Sequence, residues 1–349
     1  MNTSDLHQRL RDFALRALAL PPDTPMLLTP LTKGGSDRTF YRLTCKIDRG
    51  TGSDPMDIGG EYMVIAMHYN PDRRENTLYA GIADFLQDLR VTAPTILDHD
   101  PEACFLVMED LGDEDLWSYR HENWMTRRGL YTRTLMHAHR LHRYFQDDGG
   151  IPLPELMEGF DAALYQWERQ YFREEFVEAV CKVSLSPTEE KALEKELAGV
   201  AERLLEDGIG LVHRDLQSQN VMIHEWAPVL IDFQGMRPGS PFYDLGSLLY
   251  DPYVSLTEEE RLELLFFYYK LSPRDMDWPG FVELFQVASA QRLMQALGAY
   301  GFLGHRNERA DFLAHIPAGL HHLLDATSRT PSLPHLRALT VRCLAALNL

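Results

Sequence analysis

The sequence predicts an α+β chain of two lobes: a small antiparallel-sheet lobe with a leading helix over residues 1–112, and a larger, mainly helical lobe over 113–349. Three observations carry this. Short apolar runs bounded by turn residues crowd the first 112 positions, whereas beyond them apolar residues recur at helical spacing. One later stretch, Val221 to Asp232, reads again as strands. Finally, 349 residues with 45% hydrophobic and 25% charged composition suffice for two lobes, each with its own core.

Residues 4–19 place Leu6, Leu10, Phe13, Ala14 and Ala17 on one helical face, and Pro21-Pro22 stops the helix. Strand-like runs follow at Met26–Thr29, Phe40–Lys46 and Tyr62–Met67, with a Gly-rich polar insertion, 48–60, expected as a mobile surface loop. A helical stretch covers 74–89, and two short strand runs, 95–98 and 104–108, complete a β-β-β-α-β-β order. Helical periodicity then predicts helices over 123–146, 160–181, 187–207, 244–251, 257–270, 278–302, 308–326 and 332–347. Ser186-Pro187 and Thr257 read as helix starts, each with glutamates in the first turn.

Within the second lobe, His213-Arg214-Asp215-Leu216-Gln217-Ser218-Gln219-Asn220 precedes the strand Val221–Ile223, and a second apolar strand ends in Asp232-Phe233-Gln234. Phosphoryl transfer needs one carboxylate to orient the acceptor hydroxyl and oxygen ligands to hold Mg²⁺ on the phosphates. Asp215 is the candidate catalytic base, and Asn220 and Asp232 are candidate metal ligands, hard oxygen donors with no competing thiolate. His213 reads as a packing residue that holds the loop. Asp244, near the start of a helix, reads as its cap or as an acceptor for the catalytic-loop backbone.

These segments resemble the catalytic loop and metal aspartate of the aminoglycoside phosphotransferase and choline kinase branch of the protein-kinase-like superfamily. The resemblance implies a bilobal protein-kinase-like fold with ATP and Mg²⁺ as cofactors. Within that branch, Ile231–Leu256, Phe160–Phe176 and Asp311–Leu324 are similar to the anomeric kinases that phosphorylate N-acetylmuramate and N-acetylglucosamine in cell-wall recycling. The hinge is then Met108–Gly112, whose backbone meets adenine through Glu109 and Leu111. Gly34, Gly35 and Ser36 would cover the phosphates, since adjacent glycines let backbone N–H groups approach closely. Glu168 and Phe172 match positions that would bind sugar hydroxyls and cover the ring, and Arg306 could meet a lactyl carboxylate. His305 and His315 lie in the same C-terminal region.

Two departures from the kinase pattern stand out. The strand after the glycine loop, Tyr62–His68, contains no lysine, and the anomeric sugar kinases have a methionine there as well. Lys33, Arg38, Arg42 or His68 could supply the charge, and Glu75, the nearest match to the family's helix glutamate, is left without its usual partner. Gln234 stands where protein kinases have glycine, which removes one flexible joint.

The balance of 34 basic against 52 acidic residues, a net charge of −18, disfavours nucleic acid and anionic membranes as partners. Cys45, Cys104, Cys181 and Cys343 are scattered and suggest neither a zinc site nor a disulfide framework. His137, His139 and His142 do not share one helix face, so they do not read as a metal site. With no signal-peptide core and no long apolar run, a cytoplasmic enzyme acting on a small-molecule acceptor is expected, its oligomeric state open. Two alternatives stay alongside the amino-sugar kinase: a kinase for an aminoglycoside, choline or another alcohol, and a nucleotide-binding pseudokinase.

Overall fold

The computed structural model describes residues 3–31, 38–47, 60–147, 150–272 and 274–349. Lys33, Gly34, Gly35, Ser36 and nearly all of the 48–60 insertion lie outside them. The chain groups into two compact units. The first comprises Met1–Asp113, Ile151–Leu156 and Val229–Gln234; the second comprises Glu114–Gly150, Met157–Pro228 and Gly235–Leu349. The first thus draws in two short segments that follow residue 112.

The first unit is built on α1 (Thr3–Ala17), β1 (Met26–Leu31), β2 (Thr39–Ile47), β3 (Gly60–His68), a short α2 (Arg74–Thr77), α3 (Tyr79–Asp88), β4 (Ile96–Asp100) and β5 (Phe105–Glu109). The strands form one sheet in the order β1-β2-β3-β5-β4, every neighbouring pair antiparallel. Strand alternation makes the core: Tyr41, Leu43 and Cys45 of β2 face inward with Val64 and Ala66 of β3 and Phe105 and Val107 of β5. The apolar stripe of α1, Leu10, Phe13 and Ala14, closes over that face. Each fully buried side chain of this size stabilises the unit by about 1.5–3 kcal/mol. The residues α3 buries are Tyr79, Ile82, Ala83, Phe85 and Leu86, and the Tyr79 hydroxyl reaches the Met108 sulfur at 3.7 Å.

The second unit is mainly helical: α4 (Trp124–His142), α5 (Ala162–Tyr171), α6 (Pro187–Glu206), α7 (Pro241–Leu249), α8 (Glu258–Leu271), α9 (Trp278–Gly301), a short α10 (Ala310–Leu313), α11 (Ile316–Ser328) and α12 (Pro334–Leu347). Ser186 and Thr257 each close a capping box with the glutamate three residues on, Glu189 and Glu260. The expected helices over 160–181 and 278–302 run on as π-helical segments, Phe172–Glu178 and Phe302–Arg306. The expected helix over 308–326 is broken into α10 and α11. Glycine explains the close packing of α9: a Cβ on Gly301 would lie 2.1 Å from the Glu175 carbonyl oxygen, and one on Gly246 of α7 would lie 2.9 Å from Ser289 Cα.

The catalytic-loop region adds β6 (Gly210–Val212), β7 (Val221–His224), β8 (Ala227–Leu230) and β9 (Arg237–Gly239). β7 and β8 pair with each other, joined by Glu225 and Trp226, both at positive φ, and β6 pairs antiparallel with β9. Sequence periodicity missed β6 and β9, which are three residues each. Nor does β8 extend to Asp232, because Asp232 adopts φ +62°, the left-handed region, and leaves the extended strand.

Candidate active site

The loop from His213 to Asn220 is strapped at both ends by buried carboxylates. Asp244, fully buried in α7, accepts from the His213 backbone N–H at 2.7 Å and the Arg214 N–H at 2.9 Å. His142 Nε2 lies 3.0 Å from the same carboxylate, and its Nδ1 lies 2.6 Å from the Tyr268 hydroxyl. Of the two roles the sequence offered Asp244, the structure gives it the second, and Ser240 caps α7 instead. At the far end Asp251 accepts from the Ser218 N–H at 2.7 Å and from the Tyr253 N–H at 2.9 Å. Burial pushes the Asp251 carboxyl up, opposed by the hydrogen bonds it accepts from Ser218 and Tyr253. Between these straps Arg214 takes φ +79°, a strained conformation for a non-glycine residue that the flanking bonds hold in place.

Asp215 is partly exposed and is held by a residue the sequence reading passed over. Arg292 of α9 places Nη2 3.2 Å from Asp215 Oδ1, donates from Nε to the Ser247 hydroxyl at 3.2 Å, and bonds Gln295. Burial works against the charged Arg292, but Asp215 together with Tyr243, Tyr300 and Glu168 outweighs it and holds the guanidinium pKa above its ordinary value. A signal existed in the sequence: Gln286, Ser289, Gln291 and Arg292 bring polar groups into a long, largely apolar helix, and all four are buried. Asn220 donates from Nδ2 to the Asp215 carbonyl at 2.9 Å, which fixes the amide and leaves its oxygen as the group to offer a cation.

Glu168 lies inside the second unit. It is 1% exposed, Oε1 accepts from the Tyr243 hydroxyl at 2.8 Å, and Oε2 accepts from Gln291 at 2.9 Å. Burial drives its carboxyl pKa up. A carboxylate with both oxygens engaged and no exposed face is built to position Tyr243 and α9, whereas hydroxyl binding needs an accessible oxygen. Phe172 is likewise buried, stacked on Phe176 at 5.6 Å. Arg306 is 59% exposed and directs Nε to Glu175 at 2.9 Å, and His315 packs edge-on against Tyr253.

In the first unit, Arg38 opens toward Asp232 and forms an ion pair with Oδ1, which Gln234 also approaches at 3.1 Å. The Arg38 side chain is 7% exposed. Burial disfavours its charge, yet Asp232, with Tyr79 and Glu75 also nearby, raises its pKa. Of the described cations considered for the missing lysine, Arg38, Arg42 and His68, Arg38 is therefore the one beside both Asp232 and Glu75. Arg42 instead clamps the hinge segment, gripping Asp110 through Nε at 2.5 Å and Nη2 at 3.0 Å and bonding the Gly112 carbonyl at 3.2 Å. His68 packs edge-on against Phe105, and burial lowers its pKa. At the hinge, Glu109 ends β5 with its N–H donated to the Thr95 carbonyl at 3.0 Å, Leu111 is buried, and Gly112 turns the chain at φ +81°.

Taken singly, the Asn220 amide oxygen and the Asp232 carboxylate are each the kind of hard donor that Mg²⁺ prefers. Among the described residues no group of three or more His, Cys, Asp or Glu could hold a metal on its own. His137, His139 and His142 go separate ways, to Arg140, against the Tyr268 ring, and between Asp244 and Tyr268.

Comparison with known proteins adds three findings. Residues 28–281 match the model of a family described as "Phosphotransferase enzyme family". The chain is 25% identical over 318 residues to an N-acetylmuramate/N-acetylglucosamine kinase of Pseudomonas aeruginosa, covering 89% of this chain and 87% of that protein. A protein of the same name from Neisseria meningitidis matches at 25% identity, covering 89% and 90%. Among solved structures, a choline/ethanolamine kinase family protein from Mesorhizobium loti superposes with a TM-score of 0.59 at 17% identity, covering 95% of this chain and 99% of that one. An ADP-bound aminoglycoside phosphotransferase superposes with a TM-score of 0.53 at 11% identity, covering 92% and 99%. These likenesses establish a kinase-like fold with an antiparallel five-stranded sheet and a mostly helical remainder. No helix among the described residues is long and apolar enough to cross a membrane.

Proposed function

The chain belongs to the phosphotransferase enzyme family, and from that premise we propose that it transfers the γ-phosphoryl group of ATP to the anomeric hydroxyl of an N-acetylated amino sugar, N-acetylmuramate or N-acetylglucosamine. The substrate class is supported by relatives named for those sugars that align over most of the chain. The chemistry is supported by one observation above all: Asp215 sits on a loop whose backbone is fixed at both ends by Asp244 and Asp251.

Asp215 orients the acceptor hydroxyl and takes its proton as the anomeric oxygen attacks the γ-phosphorus. The new O–P bond forms as the bond from phosphorus to the β,γ-bridging oxygen breaks, and ADP leaves. Arg292, on one Asp215 oxygen, keeps the carboxylate aimed and leaves the other for the substrate. Asn220 and Asp232 are each equipped to ligate Mg²⁺, which when bound neutralises charge on the β- and γ-phosphate oxygens. Arg38, ion-paired with Asp232, would supply beside that carboxylate the positive charge that a strand lysine gives other kinases. Gly34, Gly35 and Ser36 cover the phosphates, and the backbone of Glu109 and Leu111 meets the adenine. Gln234 keeps the Asp232 loop in one conformation through its bond to Oδ1.

The test is ATP turnover with Mg²⁺ by the wild type and Asp215→Ala against N-acetylmuramate, N-acetylglucosamine, N-acetylgalactosamine, kanamycin and choline. Asp215-dependent transfer to an N-acetylated sugar, giving an acid-labile phosphate, is expected. Transfer only to kanamycin or choline would overturn the substrate, and nucleotide binding without turnover would overturn the enzyme.

A further inference from the structure

Four arginines among the described residues are buried to 6% exposure: Arg169, Arg237, Arg261 and Arg292. Three have a carboxylate within ion-pair distance, Glu194 for Arg169, Asp325 for Arg261 and Asp215 for Arg292. Arg237 has none among the described residues. Its Nε donates to the Gly235 carbonyl at 3.0 Å and its guanidinium lies 5.5 Å from the Phe160 ring centroid, but no acceptor among the described residues bonds its two terminal nitrogens. An arginine stays charged at any physiological pH, and a buried charge without a counter-ion is among the costlier features a fold can carry.

Its surroundings give that cost a purpose. Arg237 opens β9 directly opposite Val212, the residue before the catalytic loop. Arg214, Glu168, Tyr243 and Asp215 are the charged and titratable groups within its electrostatic reach, and Arg292 and Arg214 act on Glu168 as well. Burial and the like charge of Arg214 both push the Arg237 pKa down, so the cluster works against its own cation. Three guanidiniums thus meet around Asp215 and a Glu168 carboxyl that burial drives toward its neutral form. Three guanidiniums gathered beside one partly exposed carboxylate stand out in a chain whose overall charge is −18. A cationic acceptor would be repelled there, whereas a carboxylate would find a planar guanidinium fork with both terminal nitrogens on offer.

Building on the amino-sugar reading, we propose that Arg237, assisted by Arg214, is a subsite for a carboxylate carried by the acceptor beside the hydroxyl that Asp215 activates. It is a specificity determinant that favours N-acetylmuramate, with its lactyl carboxylate, over the neutral N-acetylglucosamine. The other anion that could reach the cluster is the transferring phosphoryl group, which is common to every acceptor.

The experiment compares kcat/KM for the two sugars in the wild type, Arg237→Met and Arg237→Lys. Arg237→Met should lower the ratio of N-acetylmuramate to N-acetylglucosamine activity about 30-fold, the loss of one charge-assisted hydrogen bond at about 1.4 kcal/mol per decade. Arg237→Lys, which keeps the charge and loses the fork, should lower it less, and it carries the comparison if Arg237→Met does not fold. Removing a buried charge that has no ion-pair partner among the described residues should also leave Arg237→Met melting no lower than the wild type. An unchanged ratio, with both sugars losing equally, would assign Arg237 to the phosphoryl group or to packing and overturn the subsite. Should the wild type turn over neither sugar, the sugar reading fails, and the subsite is judged by sodium lactate as probe: thermal protection of the wild type but not of Arg237→Met supports it, and equal shifts refute it.

Discussion

Asp244→Asn isolates the restraint on the catalytic loop from the chemistry it serves. The wild-type carboxylate receives the His213 N–H on Oδ2 and the Arg214 N–H on Oδ1. An asparagine in the same rotamer has one oxygen, so its NH₂ must face one of those two donors, whichever way the amide turns. One charge-assisted hydrogen bond, worth about 1.5–3 kcal/mol, is lost, and one buried N–H is left unsatisfied at about 1–3 kcal/mol. The expected destabilisation is about 3–5 kcal/mol, a fall in Tm of about 4–7 °C for a chain of this size. If the loop relaxes to relieve the clash, the cost moves to Asp215, where displacement of about 1 Å is expected to lower kcat about 100-fold. Steady-state kinetics with ATP and acceptor varied separately, together with calorimetric melting, reads both quantities, and the KM for ATP should stay within about threefold because Asp244 touches no nucleotide-binding residue. Wild-type kcat together with wild-type Tm would refute the argument that these two bonds hold the loop.

Further outcomes follow from individual contacts. Gly301→Ala drives a methyl group into the Glu175 backbone carbonyl and should destabilise by about 3 kcal/mol. Gly199→Ala on α6, with open space around its Cβ, should be neutral or stabilise by up to about 1 kcal/mol; denaturant melts of the pair decide. Arg38→Met should raise the KM for ATP about tenfold and leave the acceptor KM alone, and an unchanged nucleotide titration would remove Arg38 from the phosphate site. Burial lowers the His322 pKa to about 4 from its ordinary 6.5. A depressed histidine contributes stability that is fully present above pH 6.5 and is lost as pH falls toward 4. Stability should therefore drop by about 2 kcal/mol between pH 7 and pH 5, and His322→Gln should flatten that slope; identical pH profiles would assign the acid sensitivity elsewhere.

Local chemistry made much of this protein legible from the chain alone. Alternation in Tyr41, Leu43 and Cys45 and the stripe of α1 announce a sheet covered by a helix, since burial of one face is written at period 2 or 3.6. Ser186 and Thr257 mark helix starts because a cap acts within three residues. Asp215, Asn220 and Asp232 stand out because phosphoryl transfer needs those groups at short spacings in one stretch of chain. Short strands such as β6 and β9 carry too few residues to show a period, and the left-handed turn at Asp232 follows from no local pattern.

What the tertiary structure decided are matters of long sequence separation and of burial. Arg292 meets Asp215 across 77 residues, and Asp244 meets the loop across 31. In sequence Glu168 reads as a sugar-hydroxyl ligand and Arg237 as an ordinary charged residue. Only the packing reveals that one has both its oxygens engaged and the other has no ion-pair carboxylate among the described residues, because the energy of a charge depends on what surrounds it and the chain order does not record that.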